Sequence, residues 1–405
     1  MFEKFRELKV MRDPIHGYIH LELRLIRELI DTYEFQRLRR IHQLGGTYQV
    51  YHTAEHSRFS HSLGVYEVVR RMVSEVKDID DELSEFDKVS VMCAALLHDI
   101  GHGPFSHAFE LISNTFHEDY TVRIILEDTN IRRILEKADK RLPNAVASII
   151  NHTHPNKLLT QLVSGQLDAD RMDYLLRDSY CTGTSYGNFD LERVLRTLRV
   201  VDGKLVVKES GIHTIEDYIM SRYHMYWQVY YHPTSRVYEA IISGLFNRLR
   251  YLYKQNPESI SEYKMFIPFI KDGDVSVKDY LDLDESSAYY GIVLMRNSDD
   301  PILSDLARRV LERDLFAVGT YVDEMTAKNI KLMVEKAGYD PEYYYYQDEI
   351  RQVPYQPYVS ELHDPINVIR VDGTCAELST VSNIVAAIVK GEVKDAKKVF
   401  FPKGI

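Results

Sequence analysis

The sequence predicts a mainly α-helical protein with a smaller α+β lobe at its C-terminal end. Apolar residues recur every three or four positions through successive stretches of the first 230 or so residues, which is the period of an amphipathic helix. Within that part a single Asp-Gly pair is flanked by short β-branched runs, the mark of one hairpin. After about residue 255 the texture changes, and polar acidic segments alternate with short apolar ones.

Taken in order, Leu25, Ile26, Leu29, Ile30, Phe35, Leu38 and Ile41 predict a helix over 22–44. A second spans 57–77, with Ser57 as its N-cap. Phe86, Val89, Cys93, Leu96 and Ile100 step along a third, with Asp87 in its first turn and Gly101 just past its end. Further helices are expected at 117–127, 130–139, 143–152, 158–178 and 214–231, with the hairpin at 198–207. Beyond them, helices are expected at 301–316 and 324–338, and Ile366–Val371 and Lys398–Phe401 are a candidate strand pair. No repeat or low-complexity linker marks a boundary. A core over 1–255 and a lobe over 256–405 serving assembly are the expected division.

A formal charge of −11 argues against general affinity for nucleic acid or anionic membranes, but leaves room for a local basic pocket. Cys93, Cys181 and Cys375 stand far apart without metal-finger spacing, and reduced thiols are expected. Neither an apolar run of membrane-spanning length nor a signal-peptide pattern is present, so the chain reads as cytoplasmic. Twelve of the sixteen histidines precede residue 155, which places the chemistry in the first half.

There, Arg58-Phe59-Ser60-His61, then His98-Asp99, then Asp170 supply two imidazoles and two carboxylates from three helical segments. That mixture suits a divalent transition metal with positions left open for water or substrate. Burying two carboxylates without cationic partners costs several kcal/mol, roughly, and a bound metal removes the difficulty. His102, His107, His117 and Glu118 surround the His-Asp pair, and the Gly103-Pro104 break lets the chain return them to one cavity. Arg58 lies one turn before His61; Asp170, Tyr174 and Asp178 recur every four residues, as do Arg222, Tyr226 and Tyr230.

The order His61, His98-Asp99, Asp170 resembles the HD-domain metal-dependent phosphohydrolases. Asp13-Pro14-Ile15-His16-Gly17-Tyr18-Ile19, Phe35-Gln36-Arg37-Leu38-Arg39, Gln43-Leu44-Gly45-Gly46, Arg58–Gly64 and Asp168–Tyr174 narrow this to the deoxynucleoside triphosphate (dNTP) triphosphohydrolases. The likeness is to the catalytic core of the animal SAM- and HD-domain enzyme and its bacterial relatives, dense over roughly residues 9–240. It implies a helical metallohydrolase core, with the HD domain proper at about 55–180, that splits a dNTP into deoxynucleoside and inorganic triphosphate. By that likeness His61, His98, Asp99 and Asp170 hold Fe, Mn, Zn or Ni, and Mg accompanies the phosphates. His107 protonates the leaving 5′-oxygen, with His102, His117 and Glu118 around it; Arg58, Arg171 and Arg222 hold the triphosphate, beside Tyr226 and Tyr230. Gln43 and Leu44 approach the sugar, Tyr174 crowds its 2′ position, and Asp178 accepts from the 3′-hydroxyl.

Asp31, Gln36 and Arg39 match positions that read guanine in an activator site; Lys9 and Val10 adjoin it, and Arg193 and Lys208 match basic residues of the neighbouring nucleotide position. The resemblance thus implies a dGTP- or GTP-assembled homotetramer. Tyr226 stands where the relatives carry a histidine and Pro233 where they carry a phosphate-contacting lysine, so the second nucleotide position follows the pattern less well than the catalytic one; at the catalytic site Arg171 stands where they carry a lysine. Two alternatives share features of this pattern: an HD-type phosphohydrolase acting on a cyclic nucleotide, an alarmone or a nucleoside monophosphate, and a nucleotide-sensing assembly protein. Product analysis separates the first, and the intact quartet counts against the second.

Overall fold

The computed structural model describes residues 2–106, 108–110, 116–271, 273–350, 355, 364–390 and 396–405. The chain opens on a hairpin absent from the helical expectation, β1 (Lys4–Asp13) pairing antiparallel with β2 (Gly17–Leu23). Ile19, Leu21 and Leu23 are buried in alternation with Tyr18, His20 and Glu22, the period of a one-sided strand. At the turn, Asp13 Oδ1 accepts from the backbone N–H of Ile15 (2.9 Å) and His16 (3.0 Å).

The helix expected over 22–44 is shorter and interrupted. It begins as α1 (Arg24–Ile30) and is broken by Thr32, whose Oγ1 donates to Leu29 O (2.7 Å) and accepts from Phe35 N (3.2 Å), starting a new short helix at Tyr33–Arg37. α2 (Arg58–Glu75) follows as expected, although the Ser57 side chain makes no cap hydrogen bond. α3 (Glu85–Leu97) starts in a capping box between Ser84 and Asp87. α4 (His117–Leu126) and α5 (Leu142–Ile150) agree with the apolar periodicity. The single helix expected over 158–178 is two, α6 (Lys157–Val163) and α7 (Ala169–Thr182). Asp168 divides them: it caps α7 through Arg171 N (2.7 Å) and also accepts from Gly165 N (2.6 Å).

β3 (Leu198–Val201) and β4 (Lys204–Lys208) form the expected hairpin, with Asp202 (φ 51°) and Gly203 (φ 69°) both left-handed, as a type I′ turn demands. α8 (Ile212–Met225) runs into one π turn, Tyr226–Tyr230, before α9 starts at a proline (Pro233–Gln255). The C-terminal half adds α10 (Glu285–Met295), α11 (Pro301–Glu312), β5 (Ala317–Thr320), α12 (Glu324–Lys336) and β6 (Tyr346–Ile350). β7 (Asn367–Ile369), β8 (Cys375–Glu377) and β9 (Ala396–Phe401) complete it. The strands expected to pair with each other do not. β9 lies between β5 and β6, burying Val399 and Phe400, whereas β7 joins β4 in parallel and buries Val368 elsewhere.

Two apolar clusters organise the whole. One surrounds α2 with Val65, Val68, Val69 and Leu96 and takes in Val368; the other surrounds α9 with Ile241, Leu245 and Phe246. Phe105 and Phe109, next to the conspicuous histidines, belong to the second, so the histidine-rich turn sits at the seam. α2 is also closely approached by α7. A Cβ at Gly64 would lie 1.8 Å from Asp173 Oδ1 and 2.5 Å from Arg177 Nη2. Gly64→Ala should therefore cost about 3 kcal/mol, the upper end for overpacking, in equilibrium urea unfolding, and an unchanged midpoint would contradict this packing.

Candidate metal centre and its cavity

Three helix ends converge on one point: the first turn of α2 brings His61, the residues just after α3 bring His98 and Asp99, and the first turn of α7 brings Asp170. His61 Nε2 stands 3.0 Å from Asp170 Oδ1 and 3.8 Å from Asp99 Oδ2. His98 Nε2 stands 3.4 Å from Asp99 Oδ1 and 3.6 Å from Asp170 Oδ1. The donor atoms of His61, His98 and Asp99 all lie within 4.8 Å of one another. His98 Nδ1 donates to Ala95 O (2.9 Å), so its buried Nε2 carries a lone pair with no hydrogen-bond partner. A bare acceptor facing carboxylate oxygens is unfavourable unless a cation sits between them. The residues therefore fit a divalent metal, with mixed imidazole and carboxylate donors.

Burial opposes charge on His61, yet its hydrogen bonds to Asp170 and Asp173 outweigh burial and push its pKa up to about 10. The expectation that both carboxylates lack cationic partners is corrected here, because Arg58 Nη1 donates to Asp99 Oδ2. Arg58 Nη2 also reaches Ser106 Oγ (2.9 Å), and Nε has no partner.

Behind His61 lies a set of residues to which the sequence motifs gave no role. His61 Nδ1 meets Asp173 Oδ2 (2.8 Å), which turns Nε2 toward the cluster. Asp173 is wholly buried and accepts from Arg177 Nε and Nη2 (2.9 Å each) and meets His16 Nε2 (2.7 Å). Arg177 Nη1 donates in turn to Asp13 Oδ2 (2.8 Å). The four-residue spacing of Asp173 and Arg177 on α7 was the available signal.

A cavity of about 440 Å³ opens on the cluster, within the roughly 300–1,000 Å³ typical of small-molecule sites. Asp99, Asp170, Arg58, His102 and His117 form one end; Gln43, Leu44, Tyr174, Asp178, Tyr226 and Tyr230 also line it. Tyr230 packs edge-on to Tyr174 (5.9 Å) and donates to Asp178 Oδ2 (2.8 Å), while His56 Nε2 meets Asp178 Oδ1 (2.8 Å). His56 is a cavity-supporting residue that sequence reasoning missed. Arg171 and Arg222 lie outside the lining: Arg171 Nη1 is 3.4 Å from Asp168, and Arg222 stands 5.7 Å from the Tyr226 ring. The π turn starts at Tyr226, and the expected stripe stays together across it: Tyr226 packs edge-on against Tyr230 (5.2 Å) as well as beneath Arg222.

The His102 and His117 rings stack at 3.8 Å, and His117 Nδ1 is held by Glu110. Burial, with the charges of Arg58 and His117, keeps the His102 pKa well below the ordinary histidine value, so its ring is neutral. Glu118, expected beside His117 around the proton donor, is exposed in the first turn of α4, and the carboxylate that engages His117 is Glu110. His107 lies outside the described residues.

The seven residues expected at a second nucleotide site are spread over three surface stretches. Lys9 and Val10 are exposed on β1, Arg193 and Lys208 are exposed near the β3–β4 hairpin, and Asp31 pairs with Arg27 (2.7 Å). Gln36 donates to Ile30 O (2.7 Å) and accepts from Arg39 (2.8 Å), whose guanidinium covers Phe59 (3.5 Å).

The HD domain family matches residues 58–178, the span that carries the cluster, and the HD associated region family matches 189–265. The chain is 44% identical over 412 residues to the Bacillus subtilis uncharacterized protein YwfO, covering 99% of this chain and 94% of that one. It is similar across 98% of its length, at TM-score 0.84 and 29% identity, to all of a phosphohydrolase from Bacteroides thetaiotaomicron of known crystal structure. It is also 32% identical over 236 residues to the deoxynucleoside triphosphate triphosphohydrolase SAMHD1 homolog of Dictyostelium discoideum, spanning 54% of this chain but only 45% of that relative. The chain belongs to the HD-domain phosphohydrolases. Among the described residues no helix is long and apolar enough to cross a membrane.

Loading EDTA-stripped protein with Mn²⁺, Fe²⁺, Zn²⁺ or Ni²⁺ at a hundredfold excess over Kd should add about 2.7 kcal/mol of stability in thermal melts. His98→Ala should abolish that gain, and Asp173→Asn should weaken metal affinity by about 10–100-fold without touching the ion. A separate signature belongs to His56. Burial opposes its charge, but hydrogen bonds to Asp178 and Cys181 prevail and raise its pKa to about 9. Because the folded value lies above the unfolded one of about 6.5, the pair's stabilisation is complete below pH ~6.5 and is lost as pH rises through about 9. The stability gap between wild type and His56→Gln should narrow across that window; a constant gap would show the pair to be uncharged.

Proposed function

We propose that this protein hydrolyses dNTPs to deoxynucleoside and inorganic triphosphate. In the same reading a guanine nucleotide activates it, and the active assembly is a homotetramer. The observation that carries the reading is the lining of one cavity: Tyr174, Tyr230 and Asp178 share it with Asp99, Asp170 and Arg58 of the cluster end. Similarity to proteins named as deoxynucleoside triphosphate triphosphohydrolases supports it.

A divalent ion on His61, His98, Asp99 and Asp170 would supply Lewis-acid polarisation of a phosphoryl oxygen, and Mg²⁺ would travel with the substrate phosphates. The remaining work falls to the chain. Arg58, with Nε unengaged, offers positive charge to phosphate oxygens at the cluster. Arg171 and Arg222 add a positive field from behind Tyr174 and Tyr226. Tyr174 fills the space a 2′-hydroxyl would need. Each Asp178 oxygen, already accepting one hydrogen bond, keeps a lone pair for a 3′-hydroxyl. Water adds its oxygen to the α-phosphorus, the P–O5′ bond breaks, and the 5′-oxygen gains a proton. His107 is the donor that the resemblance suggests; His117, held by Glu110, lines the cavity. Exposure of Lys9, Val10, Asp31, Arg39, Arg193 and Lys208 suits an activator bound between subunits.

One observation favours a smaller phosphorylated substrate, such as a nucleoside monophosphate: Arg171 and Arg222 do not line the cavity. Incubating each dNTP with metal, with and without dGTP or GTP, and chromatographing the products decides between these. Triphosphate plus deoxynucleoside is expected, with turnover raised by the guanine nucleotide. Release of pyrophosphate or orthophosphate alone overturns the reading, and indifference to guanine nucleotides removes the activator from it. Asp170→Ala should lower turnover by more than the roughly 10–100-fold typical of outer-shell changes.

A further inference from the structure

The turn between His102 and His107 is held in shape by the C-terminal half of the chain. Phe105 (φ 59°) and Ser106 (φ 49°) are consecutive non-glycine residues in left-handed backbone, a conformation that persists only where its surroundings enforce it. Ser106 Oγ accepts from Arg58, which also holds Asp99, so the turn and the metal centre share one guanidinium.

The enforcing groups lie in Tyr280–Glu285. Tyr280 Oη donates to Gly101 O (2.7 Å). Leu283 O accepts Arg37 Nε (2.9 Å) and Nη2 (2.7 Å), and the same buried Arg37 donates through Nη1 to His102 O (2.7 Å). Glu285 is 3% exposed and opens α10, where a helix N-terminus favours its negative charge. Its Oε1 accepts from Phe105 N (3.1 Å) and from His42 N (3.1 Å), and its Oε2 engages His42 Nδ1. Gln43 and Leu44, next to His42, line the cavity. On the same helix Tyr289 packs edge-on against Phe105 (5.3 Å).

We propose that Glu285 is a positioning residue for the reaction: by holding the Phe105 N–H and both the backbone and ring of His42, it fixes the strained turn and the Gln43 wall against each other. It touches neither cluster nor cavity and acts through Ser106, Arg58 and Gln43. The inference rests on the cavity being the reaction site. Loss of the one carboxylate oxygen that accepts from both backbone N–H groups lets the turn relax, which misplaces Arg58 while leaving most substrate contacts intact. Turnover then suffers more than affinity.

The test compares Glu285→Ala, Glu285→Gln and Tyr280→Phe in the full metal-loaded chain, assayed on whichever phosphoester the product analysis identifies. Amide hydrogen exchange of peptides covering 99–110 and of α2 is followed in parallel. Glu285→Ala should lower kcat by about 10–100-fold, with KM nearly unchanged, as a displacement on the order of 1 Å does. Glu285→Gln keeps one carbonyl acceptor for both backbone N–H groups and should recover most of kcat. Exchange should quicken in 99–110 and stay constant in α2. Should Glu285→Ala fail to fold, Tyr280→Phe carries the same test more mildly, with faster exchange confined to 99–110. Unchanged kcat per folded molecule, unchanged exchange, or a glutamine variant as impaired as alanine overturns the proposal. If wild type releases no triphosphate from any dNTP, the substrate reading falls, while the exchange comparison still decides the role of Glu285.

Discussion

A single carboxylate that never sees solvent, Asp173, is the point from which this centre hangs. It receives Arg177 and His16 on one side and presents its remaining oxygen capacity to His61 on the other. Asp13, Arg177, Asp173 and His61 thereby link the first hairpin, α7 and α2 in one chain of charge-assisted bonds. Such a chain tolerates no partial occupancy, because removing any member leaves a charge buried without its counterpart. Gly64 permits it by letting α7 approach α2 closely enough for the bonds to form. The geometry of the ligand imidazole is therefore decided by residues that never meet the ligand's ion.

How far the sequence reveals this differs by element. The quartet was legible because its residue types are rare in apolar helices, and His61, His98, Asp99 and Asp170 do meet. The orienting layer was not. Asp173 and Arg177 look like an ordinary i,i+4 pair on a solvated face, and nothing local reveals that α2 covers them. Glu110 drew no attention in the sequence, because only the fold of the turn brings it to His117. Helix extent failed where a side chain stops the ladder: Thr32 and Asp168 each satisfy backbone groups on both sides of a break, and apolar periodicity passes straight through them. The strand pairing failed for another reason. β7 and β9 are both short strands, and which core each covers is a long-range fact.

Charge is distributed with the same economy of position. The chain is acidic overall, yet the cavity end beside the cluster holds Arg58, and Arg171 and Arg222 stand one layer back. Arg58 cannot be moved without disturbing Asp99, so the guanidinium that lines the cavity and the carboxylate that faces the cluster are set by one bond. The neutral, stacked His102 beside His117 extends this arrangement away from the cluster.

The parallel pairing of β7 with β4 bears on how the molecule is made. Val207 lies beside Val368, and Val368 is sealed inside the cluster around α2. During synthesis the β4 edge and part of that interior therefore stay open until the distant segment carrying β7 has left the ribosome. Contacts of such long sequence separation form slowly, and an open edge in the interval invites pairing with a neighbouring nascent chain.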